Sequence, residues 1–307
     1  MAMKVEWLRG CGTALVTPFK SSGAIDTERF RALVERQIAC GVSVLVPCGT
    51  TGESATLTEV EDREVISITV ETARGRARVI AGTGSNSTAS AVEYSRAARD
   101  LGADAVLVVA PFYNKPTQAG LYQHYRTIAE AVSDLPVVLY NVPGRTSSNI
   151  AAATTLKLAR EVENIVAVKE ASGDLSQIMA ILRGRREGFR VLSGDDAVTL
   201  PLLALGADGV ISVVANETPA LMSELVNLAL DGDWERARKL HYRLLPLMEV
   251  NFVESSPGPV KAALAILGLI EENLRLPLVP IEEKSRERVH EVLIELGLLQ
   301  EKSYVTA

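Results

Sequence analysis

Lys169 closes the apolar run Ile165-Val166-Ala167-Val168-Lys169. Such a run reads as a buried strand, and strand side chains alternate, which puts Lys169 on one face with Ala167 and Ile165. Where that face is the inside of a fold, desolvation disfavours the ammonium and leaves a nucleophilic amine, suited to Schiff-base chemistry with a carbonyl substrate. A strand-end lysine can also lay its stem on apolar surface and keep its head in water. Its company favours the first reading. Tyr140 ends the run Val137–Tyr140, and with no histidine nearby in sequence a tyrosine hydroxyl is the group left to move protons. Thr50 and Thr51 stand in the glycine-rich turn GTTGES at 49–54, where hydroxyls and backbone N–H groups can bind a carboxylate or relay a proton. Arg145 lies in a Pro-Gly-Arg loop and can hold a carboxylate through two parallel hydrogen bonds. Taken singly, each also fits a bland role: core tyrosine, turn cap, solvated arginine.

Other candidates carry less. Cys48 precedes the glycine-rich turn without a histidine beside it and reads as a packing residue. Asp195 and Asp196 fit an N-cap of the following helix better than a metal site. GTTGES lacks the GxxxxGK[ST] of a nucleotide-binding loop, and the glycines at 82 and 84 lack the third glycine of a dinucleotide fingerprint. His124, His241 and His290 are far apart, and Cys11, Cys40 and Cys48 have no ligand spacing, so neither a metal site nor a disulfide framework is expected.

Elements that position these residues follow from the apolar pattern. Short runs rich in Val, Ile and Leu occur at Thr13–Val16, Val42–Val46, Arg78–Gly82, Ala105–Ala110, Val137–Tyr140, Ile165–Lys169, Arg190–Ser193 and Gly209–Val213. They read as strands of a parallel sheet buried on both faces. Helical periodicity fills the intervals: Asp26–Cys40, Thr58–Arg74, Thr88–Leu101, Gln118–Val132, Ala151–Ala159, Leu175–Arg183, Ala197–Leu205 and Pro219–Leu230. Eight strand–helix pairs predict an α/β protein with a (β/α)8 TIM barrel over 1–231, in preference to an open doubly wound sheet. Beyond it, 232–307 carries only helical pattern, at Trp234–Val250, Pro259–Leu267 and Ser285–Leu299, and reads as a C-terminal helical appendage. In a barrel the active site lies at the carboxyl ends of the strands. The polar segments at 49–54, 83–86, 111–114, 140–146, 169–174 and 193–196 all fall there.

The chain has 307 residues, 47% hydrophobic and 23% charged, with a net charge of −6. That balance is globular and argues against disorder and against a nucleic-acid binder. Arg183, Arg185 and Arg186 cluster but are followed by Glu187, which reads as a solvated helix end. Residues 1–10, with Lys4, Glu6 and Arg9, lack the apolar core of a signal peptide. No apolar stretch reaches the roughly 20 residues that span a bilayer. A reducing, cytoplasmic location is expected.

The segments GTTGES at 49–54, YNVPGRT at 140–146 and VKEASGD at 168–174, with SGDD at 193–196, GADGVISV at 206–213 and PVKAAL at 259–264, resemble the dihydrodipicolinate synthase/N-acetylneuraminate lyase family over nearly the whole chain. The resemblance implies a Schiff base between Lys169 and pyruvate, and a proton relay of Tyr140, Thr50 and Tyr113, the last reaching in from a neighbouring subunit. It implies that Thr51 binds the pyruvate carboxylate, that the backbone around Gly194 and Ile211 lines the pocket, and that Arg145 receives aspartate semialdehyde. The Gly-Arg of YNVPGRT resembles the synthases, whereas sugar-acid lyases differ there and a polyol acceptor does not need a guanidinium. No metal or organic cofactor is implied, and the assembly implied is a homotetramer, a dimer of dimers. Lysine-inhibited relatives carry histidines after the GTTGES segment, where this chain has Glu59 and Asp62, and a glutamate where it has Ser90; Phe112 stands where a tyrosine often precedes Tyr113. Weak or absent inhibition by lysine is therefore expected. Outside this chemistry, a sensor or scaffold barrel that binds a small acid without reacting would lack an adduct at Lys169.

Overall fold

The computed structural model describes Met3 and residues 5–300. Met1, Ala2 and Lys4, on which part of the signal-peptide reading rests, and residues 301–307 of the expected appendage lie outside the described residues. Eight strands form a closed barrel in sequence order: β1 Gly10–Ala14, β2 Val44–Val46, β3 Arg78–Gly82, β4 Ala105–Val109, β5 Val137–Asn141, β6 Ile165–Glu170, β7 Arg190–Ser193 and β8 Gly209–Ser212. All are parallel, and β8 pairs back onto β1. The helices are α1 Thr27–Ala39, α2 Glu59–Ala73, α3 Thr88–Asp100, α4 Gln118–Ala131, α5 Pro143–Thr146, α6 Ala152–Glu161, α7 Leu175–Gly184, α8 Thr199–Ala204 and α9 Pro219–Leu230, followed by α10 Trp234–Val250, α11 Gly258–Ile266 and α12 Glu283–Glu295.

Both faces of the sheet are apolar, for different partners. Leu45, Val79, Ala81, Val106, Val108, Leu139, Val168 and Val191 pack outward against the helices. Val44, Val46, Ile80, Leu107, Val138, Ala167, Leu192 and Ile211 fill the inside. Each buried Val, Leu or Ile side chain contributes about 1.5–3 kcal/mol. Val5 and Leu8 join the interior layer, and Trp7 lies against Arg78 at the start of β3. Residues 5–8 therefore plug the strand-start end and leave the barrel open where the strands finish. Helix N-termini face that open end. Asp26, Thr58, Ser87, Thr117 and Asp174 cap α1, α2, α3, α4 and α7, each cap stabilising by about 1 kcal/mol. The positive ends of these helix dipoles favour anions at the mouth.

Several boundaries differ from the pattern. The first strand begins at Gly10 rather than Thr13, because Gly10 and Gly12 have no side chain to signal it. They are needed where strands press together: a Cβ on Gly209 would lie 2.1 Å from the Gly10 carbonyl oxygen, and one on Gly12 would meet Val44 Cβ at 3.0 Å. Val16 instead packs with Val213, Val260 and Leu264 beneath the C-terminal helices. Ile165 does not share the face of Lys169. The β5–β6 register shifts so that Val137 pairs with Ile165 but Val138 with Ala167. The extra residue, Val166, bulges the strand; Val166 enters the interior layer while Ile165 packs outside. Arg185 and Arg186 are not a solvated helix end: Arg185 binds Asp208 at 2.5 Å and Arg186 donates to the Ala159 carbonyl. The C-terminal helices share one apolar cluster with α8, α9, Cys11 of β1 and Val210 of β8. No helix among the described residues is long and apolar enough to cross a membrane.

Candidate active site

Beyond the bulge, strict alternation aims Lys169 inward with Ala167. It is 5% exposed, pairs in register with Tyr140 across β5–β6, and its Nζ lies 4.3 Å from the centroid of the Tyr140 ring. Two lysines are buried among the described residues, Lys169 and Lys261. Lys261 is tied to Glu53 at 2.6 Å, whereas Lys169 makes no ion pair among the described residues. A buried amine without a carboxylate is the one available to a carbonyl carbon. Gly194, directly after β7, makes room for it: a Cβ there would lie 2.9 Å from Lys169 Cε and 2.8 Å from Ala171 Cβ. Ile211, in β8, is buried in the same interior layer.

The outward neighbours of this pair lock its register. Asn141 and Glu170 face each other one step beyond Tyr140 and Lys169. Asn141 Nδ2 donates to Glu170 Oε1 at 3.0 Å, and Glu170 also accepts from the Ser172 N–H and Gln177 Nε2. Asn141 Oδ1 accepts from the Ile150 N–H at 2.9 Å. Burial pushes the Glu170 carboxyl above its ordinary value, against the pull of these hydrogen bonds. The sequence reading missed this network; its signal is the polar residue that follows each candidate, in Tyr-Asn and Lys-Glu.

The threonine pair lies in a tight turn after β2. Gly52 N donates to Gly49 O at 3.1 Å and Glu53 N to Thr50 O at 3.1 Å, while Thr17 Oγ1 holds Gly52 O at 2.7 Å. Strand β3 passes so close that a Cβ on Gly82 would meet the Cys48 carbonyl oxygen at 2.1 Å. Thr51 is buried. Thr50 lines a cleft of about 530 Å³ over the ends of β2–β5, together with Arg145, Val142, Val109, Ser255 and Ser256. The Pro-Gly-Arg segment is not a loop but a helical turn, α5, with Pro143 at its first position, where its missing N–H costs nothing. The Arg145 guanidinium is exposed, and among the described residues it has no carboxylate partner, only a 3.5 Å contact to Ser256 O.

Tyr113 is not brought into the cleft by its own chain. It is 88% exposed, with its backbone in the left-handed region at φ 72°, while its neighbour Phe112 lines the cleft. Asp195 and Asp196 do not cap α8, whose N-cap is Val198 without a side-chain bond. Asp196 Oδ2 instead accepts from the N–H groups of Val213 and Val214 at 2.9 and 3.0 Å, tying the loop after β7 to the end of β8. Cys48 is buried, and burial pushes its thiol well up, which keeps it protonated. Asp62 lines the cleft; burial, with the charges of Glu61 and Glu59 adding to it against a Cys48 hydrogen bond, raises its carboxyl to about 7.

Fold and site together define a (β/α)8-barrel lyase. Residues 7–296 match the dihydrodipicolinate synthetase family, and the chain belongs to that family. It is 55% identical to the 4-hydroxy-tetrahydrodipicolinate synthase of Koribacter versatilis over 95% of this chain and 97% of that one. It is 51% identical to the enzyme of the same name from Chlorobium chlorochromatii over 97% of this chain and 100% of that one. The crystal structure of dihydrodipicolinate synthase from Thermotoga maritima superposes with a TM-score of 0.94 at 48% identity, covering 96% of this chain and 100% of that one.

Proposed function

We propose that the protein condenses pyruvate with L-aspartate 4-semialdehyde to give 4-hydroxy-tetrahydrodipicolinate, a step of lysine and diaminopimelate biosynthesis. The observation that carries this reading is the buried Lys169, without a carboxylate partner among the described residues and set against Tyr140 at the open end of the barrel. Its Nζ adds to the keto carbon of pyruvate, and loss of the oxygen as water leaves the imine. Removal of a methyl proton gives the enamine, whose carbon bonds to the aldehyde carbon of the second substrate while the aldehyde oxygen takes a proton. The amino group of that substrate then adds to the imine carbon and displaces Lys169, closing the ring. Tyr140 and Thr50 carry the protons, together with Tyr113 from a neighbouring copy; its exposure here accords with a role across an interface. Thr51 receives the pyruvate carboxylate, with Gly194 and Ile211 shaping the pocket, and the exposed Arg145 receives the carboxylate of the semialdehyde. The imine itself draws off the electrons, so the steps as written ask for no metal or organic cofactor.

The barrel, 1–231, carries this chemistry, and the helical segment 232–307 contributes Ser255 and Ser256 to the cleft wall. The protein acts in the cytoplasm as a homotetramer built from two dimers. Two apolar surfaces support that assembly: Phe112 with Tyr113, and Leu175, Met179 and Leu205 on α7 and after α8, which are 41%, 44% and 43% exposed. The test is the initial rate with both substrates, coupled to a dihydrodipicolinate reductase and followed by loss of reduced nicotinamide. Robust turnover that collapses in Arg145→Ala is expected. A protein that forms the pyruvate adduct but never turns over the semialdehyde would move the acceptor to sugar acids.

A further inference from the structure

Two features take no part in the chemistry above: Glu53, which follows the threonine pair, and Lys261 in the PVKAAL segment. They meet. Lys261, on α11, donates to Glu53 Oε1 at 2.6 Å and to Thr17 O at 3.0 Å, and its Nζ lies 4.3 Å from the centroid of the Phe19 ring. Both side chains are 0% exposed. Burial lowers the Lys261 ammonium from its ordinary value, and Glu53 pulls it back up. The second Glu53 oxygen accepts from the Arg275 N–H at 3.2 Å. Arg275 in turn grips Glu61 in the first turn of α2 and the Thr56 carbonyl. Glu53 is held in the left-handed region at φ 56°, where a residue with a side chain rarely stays without a compensating hold. Its N–H donates to the Thr50 carbonyl at 3.1 Å.

We propose that Lys261 is a positioning residue: through its buried pair with Glu53, the C-terminal helical segment sets the geometry of the Thr50–Thr51 turn and hence the affinity for pyruvate. The proposal rests on the reading that Thr51 receives the pyruvate carboxylate. A buried ion pair is weak evidence for stability, since an apolar pair of equal volume often stabilises as well. What an apolar pair cannot supply is a directed hold on Glu53, one hydrogen bond away from Thr50. The C-terminal segment then acts on both substrates' subsites, through Lys261 on the threonine turn and through the Ser256 carbonyl on Arg145.

The test uses the full chain in three forms: parent, Glu53→Gln, and the double variant Glu53→Gln/Lys261→Met, which leaves no buried charge. Borohydride trapping of the pyruvate adduct is followed by intact mass against pyruvate concentration, with near-UV circular dichroism as the check on folding. In the double variant we expect half-saturating pyruvate to rise about tenfold, the effect of a subsite displaced by a fraction of an ångström. KM for the semialdehyde should stay within about twofold. Glu53→Gln keeps an acceptor for Lys261 and should raise half-saturation by about threefold; it carries the test should the double variant fail to fold. A purely structural role would lower Tm and leave half-saturation where it was, and that result in a folded variant overturns the proposal. A parent that traps no pyruvate at Lys169 would overturn the Schiff-base reading itself, and this proposal with it.

Discussion

Gly194→Ala adds one methyl group where the lysine shank passes. The backbone of Gly194 is outside the left-handed region, so alanine is free to adopt it and the effect is purely steric. The new carbon would sit 2.9 Å from Lys169 Cε and 2.8 Å from Ala171 Cβ. Carbon atoms rest about 3.5–4.0 Å apart, so Lys169 must retreat by roughly 0.6–1.1 Å. Overpacking of this kind costs about 1–3 kcal/mol, visible as a Tm lower by a few degrees. A nucleophile misplaced by about 1 Å loses about 10²-fold in rate. The assay is the single-turnover rate of pyruvate trapping at saturating pyruvate, beside a thermal melt. A variant with lowered Tm that traps pyruvate at the parental rate would refute the claim that Gly194 exists to seat the lysine.

The Asp62 carboxyl, raised from 3.8 to about 7 by burial, implies a pH dependence of stability. The unfolded chain gives up this proton near pH 4 while the native protein keeps it until about pH 7. The group therefore destabilises the fold progressively as pH rises through that window and fully above it. Asp62→Asn should flatten the stability profile between pH 4 and 7 and raise Tm relative to the parent at pH 8; an unchanged slope would contradict the assignment. The same residue bears on lysine. Glu59, Asp62 and Ser90 stand where lysine-inhibited relatives carry histidines and a glutamate, and sub-millimolar lysine should leave the coupled rate unchanged; strong inhibition would show that other groups bind it. Leu205→Glu places a charge beside the exposed Met179. Sedimentation velocity should show a smaller assembly than the parent's, and an assembly of unaltered size would remove that surface from the interface.

The sequence by itself determined the barrel, because eight short apolar runs alternating with helical periodicity leave little else for a chain of this length to form. It also put Lys169, Tyr140, the threonine turn and Arg145 at one end, because strand ends in a barrel all point the same way. Periodicity failed where local geometry departs from an ideal strand. Gly10 and Gly12 hide the start of β1, and the bulge at Val166 moves Ile165 off the face of Lys169. No spacing rule predicts a one-residue slip, since it is settled by the match between neighbouring strands. The roles of Asp196, Glu170 and Lys261 were decided only by tertiary structure. Each acts on a partner distant in sequence: Asp196 on the backbone at 213–214, Glu170 on Asn141, and Lys261 on Glu53, 208 residues away. A buried carboxylate or ammonium must find such a partner or give up its charge, but which partner it finds is fixed by the folding of the whole chain and not by its neighbours along it.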